Sequence, residues 1–200
     1  MFSFFNRNKG AFLGVDISSS SIKVIELSNG RAGYKVEAYG TAVLPAGAII
    51  ENQIKDADMV GLVEPLGFQR SSLRSKTELV EMISSIGGNE HLRIVHDTFH
   101  HTLADGGPIY PEMTGIVHIS GVSDHNLGFM HMEDEHRVLV DTKDRIGNVE
   151  QIGALLGAGY IGPISFECFS PEIHNLLNPL TEIKKSFDYI STQIQMHMGI

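Results

Sequence analysis

Four ionisable residues each follow an apolar segment, and together their side chains have the chemistry of a metal site. They are Glu64 after "GLV", Asp97 after "RIVH", His118 after "GIV" and Glu167 after "ISF". Three carboxylates and one imidazole are typical ligands of manganese, magnesium, cobalt or zinc, whereas soft-metal sites use other ligands. Each residue taken alone is consistent with a solvated strand end. The four together favour a shared divalent-metal site.

Histidines surround one of these residues in the segment "RIVHDTFHHTLAD". His100 follows Asp97 by three positions, so it could face the same site and bind a substrate hydroxyl. His96 directly precedes Asp97 on a strand and should point to the opposite side. We interpret His96 and His101 as bystanders, with His101 in a surface loop. Arg137, in "DEHRVLVD", is equally consistent with a substrate anchor and with a loop salt bridge.

From residue 61 onward, the sequence alternates between strand and helix patterns. Strands are predicted in "GLVEPLGF", "HLRIVHDTF", "GIVHISGV" and "IGPISFECF", and helices in "SSLRSKTELVEMISSIGG", "NVEQIGALLGAGY" and "NPLTEIKKSFDYISTQI". Gly87 stops the first helix, Asn148 is a plausible cap of the second, and Pro179 begins the third. This alternation predicts parallel strands with crossover helices, and ligands bind at the carboxyl ends of such strands. The four ionisable residues lie at those ends.

The first sixty residues have a different pattern. Residues 12–44 contain apolar runs rich in valine and isoleucine, separated by a serine run and by "SNGRAG". Asn29 and Gly30 form a strong hairpin signal because both residue types tolerate positive φ. We therefore predict a three-stranded antiparallel meander. The change of pattern near residue 60 predicts two domains, residues 1–59 and 60–200.

The composition argues against several classes of protein. A formal net charge of −9 argues against a nucleic-acid binder, which needs a basic surface. No stretch reaches the ~18 apolar residues of a membrane span, and the apolar run near the start is too short for a signal peptide. The single cysteine, Cys168, excludes an intramolecular disulfide and is typical of a reducing compartment. We expect a cytoplasmic protein without a membrane span.

Residues 61–190 resemble the C-terminal half of the sugar isomerases and epimerases with the xylose isomerase-like barrel. The resemblance rests on "GLVEPLGF", "VHDTFHH", "GIVHISGV", "DEHRVLVDTKDRIGN" and "GPISFECFSPEIH", in that order. The most similar branch is the inosose (2-keto-myo-inositol) isomerases of inositol catabolism. The segment "VDTKDRIGN" departs from the glycine-rich loop of many members, which leaves the role of Arg137 open.

This resemblance implies a set of site residues and a mechanism. The metal ligands would be Glu64, Asp97, His118 and Glu167. His100 would contact the substrate, and the two glutamates would act as acid and base on a metal-chelated hydroxy-ketone. That chemistry suits the residue types, because a cation polarises the carbonyl while a carboxylate moves the proton.

The predicted fold class is α/β, a partial (half) TIM barrel of parallel strand–helix units preceded by a small antiparallel β-meander. A full barrel has eight strands in ~250 residues, and four strands are predicted here. The open sheet edges would invite pairing with another chain. The meander could cover one edge, and a homodimer or another partner could close the barrel. Alternatively, the chain joins two gene fragments.

Residues 1–59 resemble the N-terminus of the actin-like ATPases of type IV pilus assembly, the PilM family. The similarity lies in "FLGVDISSSSIKVIELS" and "YKVEAYGTAVLPAGAIIENQI". It implies a phosphate loop with Asp16 near the metal, where the small residues Ser18, Ser19 and Ser20 admit phosphate. The sequence shows no second phosphate loop and no adenine pocket, so we do not expect ATP binding. Together the two resemblances suggest a chimeric chain.

Three functional hypotheses follow. The first is a divalent-metal-dependent isomerase or epimerase that acts on a sugar or cyclic polyol ketone and moves a proton through an enediolate. The enzyme would be truncated, and whether the truncated form is active by itself is left open. The second is a non-enzymatic pilus-assembly component that binds a partner peptide or subunit. The third is a metal-dependent endonuclease of the same barrel fold, which the acidic charge disfavours.

Overall fold

The computed structural model describes residues 12–17, 21–30, 33–43, 49–50, 53–54 and 61–199. The chain divides into two compact units, Met1–Met59 and Val60–Ile200. Among the described residues, no helix is long and apolar enough to cross a membrane.

The first unit contains the predicted antiparallel meander. Its strands are β1 (Phe12–Ile17), β2 (Ser21–Gly30) and β3 (Gly33–Val43), followed by a two-residue pair, β4 (Ile49–Ile50) and β5 (Gln53–Ile54). Asn29 pairs with Tyr34 and Gly30 pairs with Gly33. The predicted hairpin is therefore present, and its ladder extends through Asn29 and Gly30.

The second unit contains a parallel four-stranded sheet, which confirms the predicted α/β half barrel. Its strands are β6 (Gly61–Val63), β7 (Leu92–Asp97), β8 (Thr114–Ile119) and β9 (Ile164–Phe166), and they lie in that order across the sheet. Every neighbouring pair is parallel. All four carboxyl ends therefore lie at one end of the sheet.

Among the described residues, five α-helices accompany this sheet. They are α1 (Lys76–Ser85), α2 (Thr98–Leu103), α3 (Asn148–Gly157), α4 (Pro171–His174) and α5 (Pro179–Met198). Four 3₁₀ turns span Gly88–Glu90, Pro111–Met113, Phe129–His131 and Asp134–His136. The cap of α3 is Gly147, whose φ is 74°, whereas Asn148 is a buried residue of the first turn. The predicted role of Asn148 as a cap is therefore wrong.

Apolar clusters on the helix side of the sheet hold the two central strands. The largest joins β8 to α3 and α5 and consists of Val117, Ile119, Val140, Ile152, Leu155, Tyr160 and Ile190. A second packs Leu79 and Ile83 of α1 against Ile94 of β7. Fully burying one such side chain stabilises the fold by about 1.5–3 kcal/mol. These contacts fix β7 and β8, and with them the residues at their carboxyl ends.

Candidate metal centre

The four predicted strand-end residues lie together at the carboxyl end of the sheet. Each offers one ligand atom, and the atoms of Glu64, Asp97, His118 and Glu167 all lie within 4.8 Å of one another. Asp97 and His118 are direct neighbours in the β7–β8 ladder. The backbone N–H of Glu167 donates to Ile119 at 2.9 Å, which keeps Glu167 in register beside β8. The fold thus produces the expected cluster, while metal binding by these residues stays a prediction.

Two buried polar atoms of this cluster have no hydrogen bond among the described residues: Glu64 Oε1 and His118 Nδ1. His118 Nδ1 lies 3.4 Å from Glu167 Oε1 and 3.9 Å from Glu64 Oε1. The carboxylate of Glu167, and after it that of Glu64, raises the pKa of His118 to about 10. Buried polar atoms without partners are costly, and a cation between these atoms would satisfy both.

Arg137 is the main cationic partner of the carboxylates, and its side chain is only 1% exposed. Its Nη2 donates to Asp97 Oδ2 and, at 2.9 Å, to Glu167 Oε2, while its Nε donates to Ser120 Oγ at 2.9 Å. Burial raises the pKa of Asp97 to about 7, although the positive charge of Arg137 acts to lower it. Burial also acts to raise the pKa of Glu167, but His118 and Arg137 outweigh it and lower that pKa to about 2. The substrate contact of Arg137 stays a prediction.

His100 is buried next to the cluster. Its ring makes edge-to-face contacts with Phe68 and Phe99, at centroid distances of 5.0 Å and 5.3 Å. Its Nδ1 is buried and has no hydrogen bond among the described residues. A substrate hydroxyl could pair with this atom, and that role stays a prediction.

Asp97 has a second role that the sequence interpretation missed. Its Oδ1 accepts a hydrogen bond from the backbone N–H of His100 at 2.8 Å, so Asp97 is the N-cap of α2. The signal was present, because aspartate is a preferred N-cap residue and the three residues that follow it form the first turn. His101 therefore lies half-buried in a helix, and its assignment to a surface loop is wrong.

A second polar network lies behind the cluster, on the helix side of β7. The buried Lys76 Nζ lies 2.6 Å from His96 Nδ1 and 2.8 Å from His101 Nδ1. His96 Nε2 lies 3.0 Å from Gln151 Oε1 on α3. His96 thus contacts α1 and α3, as strand alternation predicts. The burial of Lys76 could have been found from its spacing to Leu79 and Ile83, which places all three on one face of α1.

The nucleotide-site residues implied by the pilus ATPase resemblance lie in the first unit. Asp16 belongs to β1 and pairs with Lys23 of β2. Ser18, Ser19 and Ser20 lie outside the described residues. The expectation that this chain does not bind ATP through these residues stays a prediction.

Comparisons with known proteins support the half-barrel fold of the second unit. The model of the xylose isomerase-like TIM barrel family matches residues 28–193. A xylose isomerase domain containing protein from Salmonella typhimurium LT2 is 34% identical, with a TM-score of 0.61 over 69% of this chain and 52% of its own. A xylose isomerase domain protein from Alicyclobacillus acidocaldarius is 22% identical, with a TM-score of 0.57 over 69% of this chain and 51% of its own.

The chain spans about half the length of these solved structures. The family match begins at residue 28, inside the segment that resembles the pilus ATPases. These findings support the interpretation of the second unit. They lend no support to the pilus ATPase resemblance or to a chimeric origin.

Proposed function

The chain belongs to the xylose isomerase-like TIM barrel family, and from this we propose that residues 60–200 are the metal-holding half of a divalent-metal-dependent sugar or polyol-ketone isomerase or epimerase. The observation that carries the proposal is the convergence of three carboxylates and one imidazole within 4.8 Å at the carboxyl end of the sheet. Such ends are where barrel enzymes place their active sites. An inosose is the first substrate to test.

The residues present suit a divalent cation. Oxygen and imidazole ligands are those of manganese, magnesium, cobalt and zinc, and Glu64, Asp97, His118 and Glu167 would supply them. The buried Glu64 Oε1 and His118 Nδ1, which have no hydrogen bond within the described part of the chain, would both gain a partner. When bound, the cation would polarise a substrate carbonyl and so acidify the neighbouring C–H bond.

The proton itself would be moved by the two glutamates. Glu64 follows β6 and Glu167 follows β9, so they reach the site from the two outer strands of the sheet. Both side chains remain partly exposed, which leaves them accessible to a substrate. The lowered pKa of Glu167 keeps it a carboxylate at neutral pH, the form that accepts a proton. One glutamate would remove the proton, and the other, as a carboxylic acid, would donate its own proton to the neighbouring carbon or to the opposite face.

Two further residues would orient the reacting groups. His100 Nδ1, to which no described residue hydrogen-bonds, would bind a substrate hydroxyl. Arg137 would hold Asp97 and Glu167 in position through its Nη2. Such positioning matters because a misplacement of about 1 Å can lower a rate ~100-fold.

The proposal is tested first by metal binding, which does not require turnover. We expect the purified chain to bind Mn²⁺ stoichiometrically in titration calorimetry. Asp97→Ala should abolish binding, whereas Glu81→Gln, at an exposed acidic residue of α1, should not. Substrate turnover or C–H exchange, where present, should be lost in Glu64→Gln and Glu167→Gln. A chain that binds no Mn²⁺, or an Asp97→Ala variant that binds it equally, would refute the metal centre.

A further inference from the structure

The parallel sheet of the second unit has two open edges. Within the described part of the chain, no strand pairs with the outer side of β6 or of β9. The backbone N–H of Glu167 points towards β8, where it donates to Ile119. Because successive residues of a strand alternate, the N–H groups of Ile164 and Phe166 point away from β8. An edge with free backbone groups is a template for another strand.

Apolar side chains lie exposed on α5 and on the edge strand β6. On α5, which follows β9 and the short α4 along the chain, the exposed residues Leu180, Ile183 and Phe187 are spaced by three and four positions and form one stripe. The same helix buries Ser186 and Ile190 against the core. On β6, Leu62 is half exposed. A helix that is apolar beyond its core face has a second surface to bury.

We propose that a second copy of this chain covers both edges, with β6 of each copy pairing with β9 of the other. Closed barrels of this kind have eight strands, and the described sheet supplies four. A two-fold axis along the barrel makes both β6–β9 contacts identical, which gives a closed dimer.

The second copy completes the surroundings of the metal centre. The carboxyl ends of all strands of a parallel barrel lie at one end. In the dimer, each cluster of Glu64, Asp97, His118 and Glu167 therefore faces a wall supplied by the other copy. The stripe on α5 is buried by the same contact, against the helix that follows β6 of the other copy.

The experiment measures the mass of the 200-residue chain by sedimentation equilibrium and native mass spectrometry. We expect a particle of twice 21.9 kDa. Two variants act on different parts of the contact. Leu180→Glu with Phe187→Glu places charges in the stripe, and Ile164→Pro removes an outward N–H while leaving the β8 ladder intact. Met130→Lys is the control, because Met130 is 62% exposed, like Phe187 at 61%, but lies in the segment after β8.

Each edge variant should raise the dimer dissociation constant at least about tenfold, because loss of a central contact has an effect of that size. Its circular dichroism spectrum should stay unchanged. The control variant should leave the dissociation constant unchanged. If one edge variant fails to fold, the other variant still tests whether the edges form the dimer contact. A chain that is monomeric at all concentrations overturns the proposal, and addition of a separate half barrel would then identify the alternative partner. Open-ended oligomers, or a dimer insensitive to both edge variants, overturn it as well.

Discussion

Arg137→Met removes the cation that holds two of the site carboxylates. In the folded chain, the guanidinium contacts Asp97, Glu167 and Ser120, and it lies 4.9 Å from the ring centroid of Phe99. Both Arg137 and Asp97 are almost completely buried. Without the guanidinium, the buried carboxyl group of Asp97 loses its ion pair and the hydrogen bond from Nη2.

The magnitude follows from this burial. Removing one partner of a buried ion pair costs about 3–5 kcal/mol, whereas an exposed pair contributes about 0.2–1 kcal/mol. Arg70 supplies a matched control, because it contacts both oxygens of Glu133 at 2.7 Å and 2.6 Å and lies over an aromatic ring, that of Phe68. Its side chain is 62% exposed. We expect Arg70→Met to lower the free energy of unfolding by at most about 1 kcal/mol.

Urea unfolding followed by circular dichroism at 222 nm measures both losses. All helices of the described residues belong to the second unit, so the helical signal reports on that unit. Asp97→Asn in the Arg137→Met background should recover part of the loss, because it removes the unpaired charge. Equal losses for Arg137→Met and Arg70→Met, or no coupling with Asp97→Asn, would refute the account of Arg137 as the buried partner of the cluster.

Two further predictions concern the elements around the site. Burial lowers the pKa of Lys76 to about 7, so the unfolded chain binds a proton that the folded chain has released. The raised pKa of His118 has the opposite effect over the same pH range in both the wild type and Lys76→Met. The difference in the free energy of unfolding between the wild type and Lys76→Met should therefore change in favour of the wild type from pH 7 towards pH 10, by up to about 1.4 kcal/mol per pH unit. Urea unfolding of both chains across that range measures this difference, and parallel pH profiles would contradict it. Gly67→Ala places a Cβ 2.2 Å from the carbonyl oxygen of His100, a backbone atom, and should cost several kcal/mol, at or above the upper end of the ~1–3 kcal/mol typical of overpacking. Gly157→Ala, in α3 with nothing within 4 Å of the added Cβ, should stabilise the chain by up to ~1 kcal/mol in thermal unfolding, and similar effects of the two alanines would show that the close approach at Gly67 is relaxed.

The sequence predicted the sheet and its cluster because both depend on local patterns. Each of the four predicted strands is present, although β6 and β9 have only three residues. Because the strands pair in parallel, their carboxyl ends then lie together at one end of the sheet. The position of Glu64 beside Asp97 could therefore be predicted from the alternation of strands and helices alone.

The sequence could not predict the partners of the cluster, because they depend on tertiary contacts. Arg137 reaches Asp97 across 40 positions. It does so because Gly121 pairs with Val138, outside the named strands, and because the N–H of Ser170 donates to the Arg137 carbonyl at 2.9 Å. No local pattern signals such a bridge. The open choice between a substrate anchor and a loop salt bridge at Arg137 reflects this dependence.

The partial exposure of Glu64 and Glu167 has a consequence for isotopic labelling. A carboxylate that is reached by solvent exchanges its acquired proton with water rapidly, so a proton taken from a substrate would be replaced before it is returned. Under the proposed function, a reaction run in D₂O would therefore yield a product that carries deuterium at the carbon that receives the proton. The label would mark that carbon in a mass spectrum even where the net conversion is small.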